Sequence, residues 1–203
     1  MAETSIDIGN STPLNVRLLG EGEHELIILH GWTGASEDWL PILERLTGSC
    51  TCISWNQRPY FTQDSAIEKM AHDVHCVIEK VCTKKPIILG HSMGAVVAWE
   101  YIRQFGCTDI DKLIIVDMTP KMLVDDDWKL GIYGTYTFQD DKQFIEECEV
   151  DFIDRVGELI INGKKLTEAQ KETMRQGDLM TIRNLRLKHL DQKAWLDCWS
   201  SFV

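Results

Sequence analysis

No stretch of the sequence is apolar for long enough to span a bilayer. Its first residues, Met1 to Asp7, carry neither a basic cluster nor the apolar run of a secretory leader. These absences point to a cytoplasmic protein without a membrane partner. The seven cysteines, at 50, 52, 76, 82, 107, 148 and 198, form no Cys-x-x-Cys pair and no cluster at metal-ligand spacing. Buried, reduced thiols are the natural reading, and no metal is expected. Phosphate loops and dinucleotide fingerprints are also missing, so no organic cofactor is expected; Gly20-Glu21-Gly22 is a turn. Positive charge is scarce. With 21 Lys and Arg against 32 Asp and Glu, the formal net charge is −11. Phosphate backbones repel such a chain, which excludes nucleic acid as a partner.

What is present is an ordinary globular balance, 44% hydrophobic and 26% charged over 203 residues, enough for one domain with a sizeable core. Short apolar runs predict strands at Asn15 to Leu19, Glu25 to Leu29, Thr51 to Trp55, Pro86 to Leu89 and Leu113 to Val116. Helical patterns fall between them. Ser36 to Leu46 reads as a helix with Ser36 as its N-cap. Ile67, Met70, Ala71, Val74, Val77, Ile78 and Val81 form one apolar stripe. Gly94 to Phe105 is a third helix, stopped by Gly106. Alternating strands and helices, with continuously apolar strands, predict the α/β class: a mostly parallel sheet covered by helices on both faces. From about residue 119 the strand signals cease. Helical patterns at 141–157, 167–180 and 190–201 remain, the second opened by a Thr167/Gln170 capping box. The expected division is a core at 1–120 and a helical segment at 121–203.

The chemistry-bearing motif is Gly90-His91-Ser92-Met93-Gly94, placed between the strand Ile87-Ile88-Leu89 and a helix. A serine on such a turn is held in strained backbone angles with its hydroxyl raised above the sheet. Side chains two before and two after would strike backbone, which demands glycine at both places. Ser92 is therefore the candidate nucleophile. His30-Gly31-Trp32-Thr33-Gly34 follows another buried strand and can turn an N–H toward it. The backbone N–H groups of Trp32 and Met93 are the candidate oxyanion donors.

Together with Ile115-Val116-Asp117-Met118-Thr119-Pro120, these motifs resemble the α/β-hydrolase superfamily over about Asn15 to Pro120, most closely its small cap-bearing serine esterases. The resemblance implies that the segment after residue 120 is a cap shaping an acyl pocket. It implies a serine hydrolase acting on a carboxylic ester or related small acyl substrate. Asp117 takes the place of the acid in members that carry it after the sixth strand; equally, it reads as an aspartate ending a strand. The usual Asp-x-Arg-Gly-x-Gly stretch is replaced by Asn56-Gln57-Arg58-Pro59-Tyr60-Phe61.

One part is missing. The family's triad runs serine, acid, histidine, with the histidine after the last strand. The six histidines are His24, His30, His72, His75, His91 and His189, and none follows a strand late in the chain. His30 is expected to brace the oxyanion loop. His189 sits among Lys188, Arg186 and Arg183 and reads as a solvated residue. The expectation is a chain truncated before the last two strands, with Leu113 to Val116 as an exposed apolar edge open to self-association. The alternative function is a catalytically inactive isoform or fragment serving as a binding or regulatory module.

Overall fold

A computed structural model describes residues 2–9, 12–162 and 166–203. Six strands form one sheet: β1 (Ala2–Ile6), β2 (Leu14–Leu19), β3 (His24–Leu29), β4 (Cys50–Ser54), β5 (Ile87–His91) and β6 (Lys112–Val116). Their spatial order is β1-β2-β4-β3-β5-β6. The pairs β1/β2 and β2/β4 are antiparallel; β3/β4, β3/β5 and β5/β6 are parallel. The sheet is mixed and mostly parallel, as expected. Apolar runs locate five of the strands. β1 carries no such signal, because four of its five residues are exposed. Its ladder to β2, from Ala2 opposite Leu18 to Ile6 opposite Leu14, holds it instead.

Both faces of the central strands are covered, which is why Leu26, Ile27, Ile28 and Leu29 are all buried. Leu26, Ile28 and Cys52 form one apolar cluster with Leu43 of α1 (Leu40–Leu46). Ile27, Ile53 and Ile88, opposite one another in register, point the other way. There α3 (Met93–Phe105) packs on β3, β5 and β6, and α2 (Ile67–Lys80) packs on α3. The predicted stripe of α2 is its buried face.

The segment expected as one helix from Ser36 begins as a 3-10 turn, Ser36–Trp39, and becomes α1 only at Leu40. Ser36 is not the N-cap. Ala35 holds that position and donates its N–H to Asp38 Oδ2 at 2.9 Å, while the Ser36 N–H goes to Asn56 Oδ1 at 2.8 Å. The Ser36 Oγ, the atom a cap would use, accepts from Arg17 Nη1 at 3.3 Å, so a long-range partner has taken the place of the local one.

The chain divides into two compact units. One runs to Met118 and includes Asp197–Phe202; the other covers Thr119–Leu196. The second unit contains no strand among the described residues. It comprises α4 (Phe138–Asn162), α5 (Glu168–Arg175), α6 (Asp178–Leu187) and the start of α7 (Gln192–Ser200). Phe144, Cys148, Phe152 and Val156 recur every fourth residue as the buried stripe of α4. That helix breaks at Asp151 (φ −146°, ψ 83°), whose carboxylate accepts the Asp154 N–H at 3.0 Å and restarts it. The helix expected across 167–180 is two, parted at Gly177. Its capping box forms: Gln170 N–H donates to Thr167 Oγ1 at 3.3 Å, and Thr167 N–H to Gln170 Oε1 at 2.9 Å.

All seven cysteines are free thiols. Among the described residues, no helix is long and apolar enough to cross a membrane, and no three ligating side chains are grouped to hold a metal.

Candidate active site

Topology sets the location. From β3 the chain crosses through α1 to β4 on one side, and from β4 through α2 to β5 on the other side of β3. Strand order reverses there, and in open α/β sheets ligands bind outside the carboxyl ends of the strands at such a switch point. The segments that leave β3 and β5 are His30 to Gly34 and Ser92.

Ser92 has φ 51° and ψ −121°, a region that residues with a side chain avoid. Backbone contacts hold it there. Its N–H donates to Val116 O at 3.0 Å, and its carbonyl accepts the Ala95 N–H at 2.8 Å. A Cβ at Gly90 would stand 2.5 Å from Gly94 O and 2.6 Å from Ala95 Cα; one at Gly94 would stand 2.1 Å from Leu29 O. Neither glycine has a positive φ. Both are required by close approach of backbone, which cannot rotate aside. Met93 opens α3, so its N–H lies in the first turn, where no intrahelical acceptor exists. The positive end of the helix dipole lies at the same place.

The loop after β3 presses on this turn. A Cβ at Gly31 would lie 2.9 Å from His91 Nδ1 and 3.2 Å from Ser92 Cβ. Gly34 N–H donates to Gly31 O at 2.9 Å, and Thr33 adopts φ 56°. His30 is 1% exposed. Its Nδ1 lies 2.9 Å from Gly31 O, and its Nε2 accepts the Gln57 N–H at 3.0 Å. Those partners assign the proton to Nδ1. Gln57 Nε2 also donates to His30 O at 2.7 Å. His30 is thus a strut of the loop, with both nitrogens engaged.

Two supports were not foreseen from sequence. The first lies where the glycine pattern of the family is lost. Arg58–Tyr60 folds as a 3-10 turn around Pro59. Arg58 Nε and Nη2 meet Asp73 of α2 at 2.8 and 2.7 Å, with both side chains buried. Burial pushes Asp73 up, to about 6, against the pull of Arg58. This pair pins the segment that delivers Gln57 to His30. The second support comes from the far end of the chain. The Trp199 ring lies 4.7 Å from that of Trp32, the Cys198 thiol donates to Met93 Sδ at 3.4 Å, and Ser201 Oγ accepts the Ile67 N–H at 3.2 Å.

Asp117 ends β6, beside the serine turn because His91 faces Val116 in the ladder. It is exposed and takes φ 52°. Burial lowers the pKa of His91, with the charge of Asp117 opposing; its ring meets Trp39 at 5.7 Å. His75 stacks on Phe105 at 4.1 Å, and His72 is its neighbour on α2. His24 is exposed at the start of β3. Among the described residues no hydrogen bond joins Ser92 Oγ to an imidazole.

This architecture has relatives. The family profile described as alpha/beta hydrolase fold matches residues 26–142, more than half of the chain. The chain belongs to the alpha/beta hydrolase family. It is 28% identical over 120 residues to pimeloyl-[acyl-carrier protein] methyl ester esterase of Pseudoalteromonas atlantica, covering 58% of this chain and 45% of that protein. Karrikin insensitive 2 receptor B of Petunia hybrida is 25% identical over 185 residues, covering 85% and 64%. The chain therefore spans less than two thirds of either curated relative. An esterase from Exiguobacterium antarcticum superposes with a TM-score of 0.78 at 19% identity, covering 99% of this chain and 73% of that one. That likeness is one of fold.

Proposed function

We propose that the chain is a serine hydrolase of carboxylic esters, with Ser92 as nucleophile. The observation that carries this reading is the backbone of Ser92, strained at φ 51° between two glycines that backbone contact requires. Strain of this kind persists where a group must be presented. In the proposed reaction Ser92 Oγ attacks the acyl carbon and its proton passes to a base. The carbonyl oxygen becomes an oxyanion held by the N–H groups of Trp32 and Met93. The C–O bond to the leaving alcohol then breaks, the alcohol takes up that proton, and water releases the acid from the acyl-serine. Asp117 is proposed as the acid that orients the base. None of the chain's six histidines is assigned as that base. His30 in particular is spent on Gly31 O and the Gln57 N–H.

The esterase name of one relative supports the ester class. The helical unit is proposed as the substrate-selecting cap. Seven free thiols support a reducing, cytoplasmic setting. β6 pairs only with β5 among the described residues, and Ile114 is 41% exposed; this edge is the surface proposed for self-association.

A second reading is a small-molecule binding module without turnover. The missing link between Ser92 Oγ and an imidazole favours it, as does a relative named as a receptor. A fluorophosphonate probe separates the two. An activated Ser92 is expected to be labelled, and Ser92→Ala to lose the label. A folded chain that stays unlabelled rejects the enzyme reading.

A further inference from the structure

Three arginines in the chain are used in one way. Arg58 offers Nε and Nη2 to Asp73 at 2.8 and 2.7 Å, and Arg175 offers the same two atoms to Glu158 at 2.8 and 3.0 Å. Arg103 offers them to Glu100, both at 2.6 Å. These two N–H groups lie parallel on one edge of the guanidinium and match the two oxygens of a carboxylate.

Arg183 of α6 has no carboxylate on that edge among the described residues. Its Nη1 donates to Met180 Sδ at 2.9 Å and to Asn184 Oδ1 at 3.0 Å. Its Nε and Nη2 are buried and have no hydrogen-bond partner among the described residues. The residue is only 9% exposed, although its place in a basic stretch with Arg186 and Lys188 suggests solvation. Gly157 of α4 leaves room beside it, since a Cβ there would sit 3.4 Å from Nη1. Burial pushes the Arg183 pKa down to about 10, and the charge of Arg186 adds to that. A guanidinium taken out of water without a counter-charge is costly. In a chain of net charge −11, carboxylates are plentiful, yet among the described residues none pairs with Arg183.

We propose that the Nε/Nη2 edge of Arg183 binds the carboxylate of a ligand, taking the place that Asp73, Glu158 and Glu100 take on Arg58, Arg175 and Arg103. The site would be selective for a planar two-oxygen anion, and Arg186 adds positive charge beside it. The proposal needs neither Ser92 nor turnover, so it stands or falls apart from the hydrolase reading.

The test is thermal unfolding of the whole chain in sodium acetate, sodium phosphate or sodium chloride at equal ionic strength. At ten times its Kd, acetate is expected to raise Tm by about 3–6 °C over chloride, and phosphate by less. Arg183→Met removes the charge but keeps an apolar stem. It is expected to melt at the same or a higher temperature without acetate and to lose the acetate response. The Arg183 Nε–H resonance of the unaltered protein is read in the same titration, and an acetate-dependent shift is expected. Three results overturn the proposal: a Tm no higher in acetate than in chloride, a response that survives in Arg183→Met, or an unmoved Nε–H resonance. A larger rise in phosphate than in acetate overturns the choice of carboxylate. Should Arg183→Met fail to fold, the resonance alone decides.

Discussion

A Cβ added at Gly94 in the sheet unit would stand 2.1 Å from Leu29 O, whereas one added at Gly157 in the helical unit meets nothing nearer than Arg183 Nη1 at 3.4 Å. Both glycines lie within helices. The first is wedged against the backbone of a strand; the second faces the end of a flexible side chain. The contrast extends to the surroundings of these two glycines. Around Ser92 the decisive contacts are backbone on backbone, and they admit no adjustment. In α4 to α6 the contacts are side chain on side chain, such as Arg175 on Glu158, and these can be rearranged.

Four substitutions or conditions probe that contrast, from the largest expected effect down. Gly94→Ala forces α3 off β3 and is expected to cost more than about 4 kcal/mol, read as loss of the cooperative urea transition. A stable Gly94→Ala protein would show that the sheet unit can yield after all. Asp73→Ala removes both acceptors of the Arg58 Nε/Nη2 edge and leaves the guanidinium buried. The expected loss is about 3–5 kcal/mol by denaturant titration. Gly157→Ala, by contrast, removes a helix-weakening residue at an ordinary contact distance. It is expected to raise stability by about 0.5–1 kcal/mol, and a loss above that size would place the helical unit among the rigid ones.

The smallest effect is pH-dependent. Burial holds the pKa of His91 below its ordinary value. The unfolded chain takes up that proton near pH ~6.5 while the folded chain resists it. The His91 contribution is therefore intact above pH ~6.5 and is lost on acidification. Asp73 works with the opposite sign. Its folded pKa of about 6 lies above the unfolded value of ~3.9, so stability from its protonation is present at low pH and lost as pH rises through about 6. Comparing His91→Gln with the parent chain isolates the first effect. The parent is expected to lose stability relative to the variant between pH 7 and pH 5; a difference that stays flat rejects the assignment.

Legibility follows the range of the interaction. Gly90, Ser92 and Gly94 could be read because a strand, a tight turn and a helix are adjacent in sequence, and the clash that demands glycine is built by that adjacency. The stripe of α2 and the Thr167/Gln170 box are equally local. Partners brought from afar left no trace. Gln57 bracing His30, Asp73 holding Arg58, and Trp199 lying on Trp32 join residues whose sequence neighbourhoods say nothing of one another. Ser36 failed as a predicted cap for the same reason, since Arg17 of β2 claims its Oγ. β1 was invisible because its residues face solvent and only the ladder to β2 secures it. Arg183 sits in a stretch whose composition suggests water, and only packing reveals that its guanidinium is enclosed.

The turn around Ser92 constrains its neighbours far more tightly than the residue it presents. Gly90 and Gly94 are dictated by backbone atoms that an added Cβ would strike, while Ser92 is held through its own N–H and carbonyl, groups that every residue but proline possesses. The position works as a socket. It fixes where a side chain is delivered and is indifferent to which small polar group is delivered there. In a protein built this way, the chemistry can be exchanged one atom at a time while the frame around it stands still.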